Sequence, residues 1–259
     1  MSASDPWILF AAATLAGAIN SVAGGGSLIT FPILLWLGRD PIVANATNTV
    51  SLSPGSVAAL HGFRRELDGL RPWIVRGTLP SLAGGLVGAA LLLQTPSAVF
   101  AWLVPYLVLF ATALFALSGP VNAFARRHAH AEADHGVPVR PWWLGFLVYQ
   151  FALSVYGGYF GAGIGIMMHA GLALAGFTAV HRAIAVRNYY AILINGLAAL
   201  YFILFGAIQW ADAAVLTAGQ IVGSLAGARL VRGMSPASVR WIVVAIGVLM
   251  TLSLFVGSG

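Results

Sequence analysis

The chain has no cysteine and no lysine, and only 8% of its 259 residues carry charge. Without cysteine there are no disulfides, no thiol catalysis and no Cys-ligated metal. So little charge excludes an ordinary soluble domain, in which about 25% of residues would be charged. The formal net charge of +6 does not point to nucleic acid. All 13 basic residues are arginine, and nearly all sit in joints between apolar runs, as in the cytoplasmic loops of membrane proteins. No Gly-Lys-Ser/Thr follows any glycine-rich stretch, so no P-loop is present. No basic residue precedes the first apolar run, so that run is expected to be retained and not cleaved as a signal peptide.

What is abundant is apolar: 59% of residues are hydrophobic, with a mean hydropathy of +0.90. The 31 glycines and 8 tryptophans suit close helix packing and interfacial anchoring in a bilayer. Apolar runs cover Trp7–Leu37, Ile42–Leu60, Trp73–Leu93, Ala98–Leu117, Trp142–Ala175, Ile184–Phe205, Ala213–Val231 and Val239–Val256. Most have the roughly 20 residues that cross about 30 Å of hydrocarbon. The expected fold is an all-α integral membrane protein forming one transmembrane domain over 1–259.

Two of these runs are too long for one crossing and are interrupted by glycine. The first break is Asn20-Ser-Val-Ala-Gly-Gly-Gly-Ser27; the second is Gly157-Gly-Tyr-Phe-Gly-Ala-Gly-Ile-Gly165. Gly38 answers Gly176, and Ala46-Thr47-Asn48 answers Val186-Arg187-Asn188. The chain therefore divides into repeat one (7–118), a polar loop (119–141) and repeat two (142–257), each repeat being one broken segment and three spans. Interrupted segments at matching places in two halves point to a transporter binding site.

Charge chooses how the broken segments sit. If each crossed once, five arginines would face one side and seven the other, and no orientation would follow. If each enters and returns to the same side, only Arg39 lies on the side of the N-terminus. Eleven arginines then lie opposite, and Arg187 falls within a span. The second arrangement obeys the positive-inside rule. It places both termini outside and the loop 119–141 in the cytoplasm of a bacterial-type inner membrane. Each half then makes three crossings, so the repeats are inverted, and the two re-entrant hairpins approach one another from opposite faces.

The second arm of each hairpin starts at its glycine break, so each break presents a helix N-terminus with unpaired N–H groups and positive potential. Two such ends in a low-dielectric interior suit an anion, and glycine lets the ligand approach backbone. Gly24, Gly25, Gly26, Gly161, Gly163 and Gly165 are the expected backbone contacts. Ser27 either caps its helix or bonds a ligand oxygen. Arg187 lies five residues beyond Arg182, roughly 8 Å deeper along a helix. None of the seven acidic residues lies within a span, so either the substrate supplies the missing counter-charge, or Arg187 snorkels to the cytoplasmic surface or binds carbonyls at a half-helix end. Asn20, Thr47, Asn48 and Asn188 are placed by the breaks to contact the same ligand. His169, one turn past the second break, is a candidate proton or anion contact. Gln150, Tyr156 and Tyr189 are candidates of the same kind. The polar residues His128, His130, Glu132, Asp134 and His135 read as a solvated linker and not as a metal site.

With Phe31-Pro32 after the first break and Pro41-Ile-Val-Ala-Asn-Ala-Thr-Asn48 beyond it, the chain resembles the sulfite exporter TauE/SafE family, also called the toluenesulfonate uptake permease family. The stretch Arg182–Asn195 looks like that family's second repeat. The resemblance implies a carrier of sulfur-containing anions such as sulfite or organosulfonates, and inverted repeats are a recurrent plan for alternating access. Its site would fall on Gly24–Ser27, Thr47–Asn48, Gly161–Gly165 and Arg187–Asn188. The second repeat has His169-Ala170 where the first has Phe31-Pro32 nearby, a departure from internal symmetry. No enzymatic role, cofactor, metal or nucleic acid is expected. The expected partners are a small anion and membrane lipid; a homodimer is compatible with the sequence but not fixed by it. An anion channel on the same scaffold is the alternative, and Ser27 with His169 is the one pair a hydrolase could use.

Overall fold

The computed structural model describes residues 5–22, 25–62, 64–120, 133–134, 137–138, 142–206, 208–230 and 236–257. Ten α-helices account for most of them: α1 (Asp5–Val22), α2 (Ser27–Trp36), α3 (Pro41–Gly62), α4 (Arg71–Gln94), α5 (Ser97–Ala116), α6 (Trp143–Tyr159), α7 (Ile164–Leu174), α8 (Val180–Phe205), α9 (Trp210–Leu230) and α10 (Pro236–Gly257). A 3₁₀ turn covers Arg64–Leu67. Within the polar loop, Ala133–Asp134 pairs with Val137–Pro138 in an antiparallel ladder. His128, His130, Glu132 and His135 lie outside the described residues. Among the described residues, α4, α5 and α8 are long and apolar enough to cross a membrane. Large apolar side chains such as Leu79, Phe205, Leu225 and Leu249 are exposed, as are Trp7, Trp36, Trp102, Trp142, Trp210 and Trp241. In an aqueous protein such a surface would be a liability; facing lipid tails and headgroups it is not.

Both interrupted segments fold back on themselves. A Cβ on Gly26 would lie 2.9 Å from the Ala16 carbonyl oxygen and 3.3 Å from Asn20 Cβ, so α2 starts against the last turns of α1. In the second segment Tyr149 Oη donates to the Met167 carbonyl at 2.6 Å. Residues so far apart in sequence meet only because α7 runs back along α6. Gly171 packs on the Tyr149 ring, leaving no space for a side chain. The short arms, 10 and 11 residues long, reach only about 15 Å, half a hydrocarbon core.

The tightest helix pairs are α1 with α9 and α4 with α6, and both use glycine in the same register. A Cβ on Gly223 would meet the Thr14 carbonyl oxygen at 2.0 Å, and one on Gly88 would meet that of Val155 at 2.1 Å. Four residues earlier, Gly219 faces the Phe10 carbonyl at 2.7 Å and Gly84 that of Phe151 at 2.6 Å. From the other side, Gly17 faces the Gln220 carbonyl and Gly158 that of Gly85. In lipid there is no hydrophobic drive between helices, so small residues spaced by four let backbones approach and gain dispersion contacts. The remaining contacts follow the same pattern. α3 touches α9 as α8 touches α4, and α3 packs on α8 and α5 on α10. Both short arms also end alike. The amides of Gly38 and Arg39 return to the Leu35 and Leu34 carbonyls, those of Gly176 and Phe177 to the Ala173 and Leu172 carbonyls, with Gly38 and Gly176 at positive φ.

Two clusters of buried side chains hold the helices together. One is centred on α1, α2, α5 and the facing parts of α9 and α10; the other joins α4, α6, α7 and α8. Trp73 is the hub of the second. Its ring lies 4.7 Å from Trp143, 4.8 Å from Phe146 and 4.7 Å from Phe177, centroid to centroid. Tyr190 Oη donates to the Trp73 carbonyl at 2.6 Å, so the one polar atom of that fully buried side chain is satisfied.

Candidate anion site between the hairpin tips

The two hairpin tips meet across a cavity of about 60 Å³. The first hairpin contributes Asn20, Gly25, Gly26 and Ser27. The second contributes Gly161, Gly163, Ile164 and Gly165. α8 lines a third side with Arg187, Asn188, Ala191 and Asn195, and α3 closes the cavity with Leu52 and Ser56.

The glycines of the two tips serve different needs. Gly161 and Gly163 have φ of +78° and +79°, the left-handed region, so the second tip needs them for backbone conformation. Gly26 has right-handed helical dihedrals, and Gly25 is required by space: its Cβ would strike the Phe115 ring at 2.2 Å. Gly24 lies outside the described residues. The expectation of wholly unpaired first-turn amides is corrected. Leu28 N–H closes on the Gly25 carbonyl and Ile29 and Thr30 N–H on that of Gly26. Ile164 N–H closes on the Gly161 carbonyl, and Ile166 and Met167 N–H on that of Gly163. The tight turns consume these donors locally. The Gly165 amide makes no such backbone bond among the described residues.

Arg187 is 5% exposed and lies deep in α8. Its Nε and Nη2 donate to Oδ1 of Asn188 at 3.2 and 2.9 Å. No carboxylate pairs with it among the described residues. Asn188 is 7% exposed, and its buried Nδ2 has no hydrogen-bond partner among them. A buried guanidinium without a counter-charge and a buried amide with idle N–H groups are both costly unless a ligand completes them. Both border the same cavity.

Other expected contacts lie elsewhere. Thr47 does not line the cavity; its Oγ1 accepts the Gln209 amide at 3.1 Å and so fixes the joint before α9. Asn48 Oδ1 accepts from Thr30 Oγ1 at 2.5 Å and ties α3 to the short arm α2. His169 is half-buried on α7 and outside the cavity lining. Gln150 Nε2 donates to Ser81 at 3.0 Å, Tyr156 Oη to the Ala162 carbonyl at 2.7 Å, and Tyr189 pairs with Thr78 at 2.9 Å. All three are interhelical or tip-bracing contacts. Ser27 is not a cap: α2 begins at Ser27, its N-cap position is Gly26, and no side chain caps it.

Leu52, Ser56, Ala191 and Asn195 were not anticipated. Asn188, Ala191 and Asn195 share one face of α8 at spacings of three and four, so an amide two turns beyond Asn188 was a readable signal. Ser56 gave none, because its facing depends on how α3 crosses α8. Ser53 Oγ meets the Asn195 carbonyl at 3.3 Å at that crossing.

The family model for the sulfite exporter TauE/SafE matches residues 9–254. A probable membrane transporter protein of Haemophilus influenzae is 30% identical over 255 residues, covering 97% of this chain and 95% of the relative. The probable membrane transporter protein YfcA of Escherichia coli K12 is 29% identical, covering 97% and 90%. A Sinorhizobium protein, probable membrane transporter protein ORF9, is 29% identical, covering 95% and 90%. No solved structure matches the chain. A helical protein with lipid-suited surfaces and two folded-back segments, matched over nearly its whole length, belongs to the TauE/SafE sulfite exporter family of membrane transporters.

Proposed function

We propose that the chain is a secondary carrier of a small sulfur-containing anion, sulfite or a short organosulfonate. The anion binds between the two hairpin tips and is exposed to each side of the membrane in turn. The observation that carries this reading is Arg187: a buried positive charge with no described carboxylate, beside an idle amide, bordering the space where both broken segments end. The matched packing of α1 on α9 and of α4 on α6 supports two structurally equivalent halves. Arginine counts in the loops support their inversion, with both termini outside and the loop 119–141 in the cytoplasm. Re-entrant backbone is tolerated at membrane depth where it lines a cavity, which is where both tips lie.

The test is anion flux in proteoliposomes. Saturable counterflow of sulfite or a sulfonate is expected, and Arg187→Ala should abolish it while the protein remains folded. Undiminished counterflow in Arg187→Ala would remove the anion site from this cavity. Conductance far above carrier turnover would instead assign the chain to the channels.

A further inference from the structure

We infer that the cavity is matched to a singly charged oxyanion and discriminates against a doubly charged one of the same shape. This rests on the anion-site reading of the same cavity and specifies its charge. Arg187 brings one positive charge, and among the described residues no other charged side chain lines the space. The other polar linings are Asn20, Ser27, Ser56, Asn188 and Asn195, all neutral. Among the described residues, Tyr149, Tyr156 and Tyr190 donate to backbone carbonyls, Tyr189 pairs with Thr78, and His169 and Arg182 do not line the cavity.

The neighbour of Arg187 is what leaves that single charge available. Its Nε and Nη2 converge on an amide oxygen, that of Asn188. An aspartate there would orient the guanidinium equally well and cancel its charge. Asparagine orients it without cancelling it. The same side chain leaves Nδ2 without a partner among the described residues, so one residue both aims the cation and offers a second donor. The helix ends add dipoles but no net charge, and their first-turn amides are largely closed on the turn carbonyls.

A monoanion therefore completes a neutral pair, whereas a dianion leaves one net negative charge. The neutral amide and hydroxyl linings of the cavity offer no second positive charge to that excess, and an uncompensated charge carried across a membrane interior is strongly disfavoured. For a diprotic acid such as sulfurous acid, the form taken is hydrogensulfite. The substrate then carries its own proton across, and no carboxylate relay is needed.

The experiment compares anions of similar size and different charge on the purified full-length chain. Methanesulfonate is a permanent monoanion, sulfate is a dianion, and sulfite changes between the two near neutral pH. Equilibrium binding should favour methanesulfonate over sulfate by at least about tenfold. Sulfite affinity should rise as pH falls through its second ionisation, while that of methanesulfonate stays level. Asn188→Asp should lose methanesulfonate binding and Asn188→Gln should retain part of it. Equal binding of sulfate and methanesulfonate, both lost in Arg187→Ala, would overturn the charge match and leave the anion site standing. Absence of any Arg187-dependent anion binding would overturn both.

Discussion

Asp212, whose side chain has no solvent exposure, receives both Nε and Nη2 of Arg39, at 2.6 and 3.2 Å. Asp5 lies 3.7 Å from the same guanidinium. The link after α2, the start of α1 and the first turn of α9 are thus tied by one arginine. In the helix register shared by the two halves, Phe146 and Phe177 hold the places of Asp5 and Arg39, and they pack on Trp73. Matching positions are thus fastened by ions in one case and by aromatic rings in the other. Removing Asp212 takes away the arginine's two charge-assisted hydrogen bonds and leaves a half-buried guanidinium only the longer contact to Asp5. Asp212→Ala is expected to destabilise the protein by about 2 kcal/mol, the scale of hydrogen bonds to a charged group, read as a lower thermal midpoint in detergent. Exchanging the two charges, Arg39→Asp with Asp212→Arg, should recover part of the loss; no recovery would mean that packing, not charge, holds the junction.

Backbone contact between helices makes a second set of expectations. Gly88→Ala and Gly223→Ala place a methyl 2.1 and 2.0 Å from a carbonyl oxygen of the partner helix. A packed backbone cannot yield by that much, so both variants should lose yield and thermal stability. Gly196 in α8 has nothing within 4 Å of its would-be Cβ. Gly196→Ala should be neutral or stabilising by up to about 1 kcal/mol, because alanine is the better helix former. Equal loss in all three variants, measured by thermal unfolding, would refute the packing argument.

Much of this architecture was legible in the sequence. Tandem glycines inside apolar runs marked both breaks, and the uneven arginine distribution favoured segments that turn back. The identity of the site was only partly legible. Gly25, Gly26, Gly163 and Arg187 do meet, because short-range breaks and a buried charge are local signals. Thr47 and Asn48 match Arg187 and Asn188 in sequence, yet both are consumed by bonds to Gln209 and Thr30. Such pairings depend on which helix crosses which, and a single sequence does not encode that in readable form. The bond from Arg39 to Asp212 is likewise invisible in the sequence, since nothing nearby hints that Arg39 folds over it.

The two tips should respond differently to the same substitution. Gly163→Ala meets only ordinary van der Waals contacts, with Ala111 Cβ and Leu114 Cδ1 at 3.5 Å, but must hold φ near +79°. That conformation costs an L-residue about 1–2 kcal/mol. Gly163→Asn, which visits the left-handed region more readily, should restore part of the lost stability and flux. Gly25→Ala suffers from the Phe115 ring instead, so Phe115→Leu should rescue it and should not rescue Gly163→Ala. Rescue of both by Phe115→Leu would contradict the distinction between conformation and space.

The orientation is open to direct chemistry because the chain has no cysteine to remove. Asp212 itself is a poor labelling position, being buried under Arg39. Ala211, beside it and exposed, is the better one; Ala131, in the polar loop, lies outside the described residues. If both broken segments return to the side they entered, Ala211→Cys lies on the same side as the N-terminus and Ala131→Cys on the other. A membrane-impermeant maleimide added to intact cells should label Ala211→Cys and spare Ala131→Cys until the membrane is permeabilised. Labelling of Ala131→Cys in intact cells would place the arginine-rich side outward, against the positive-inside rule. Labelling of both would mean that one broken segment crosses fully, and two tips entering from opposite faces would no longer explain the shared cavity.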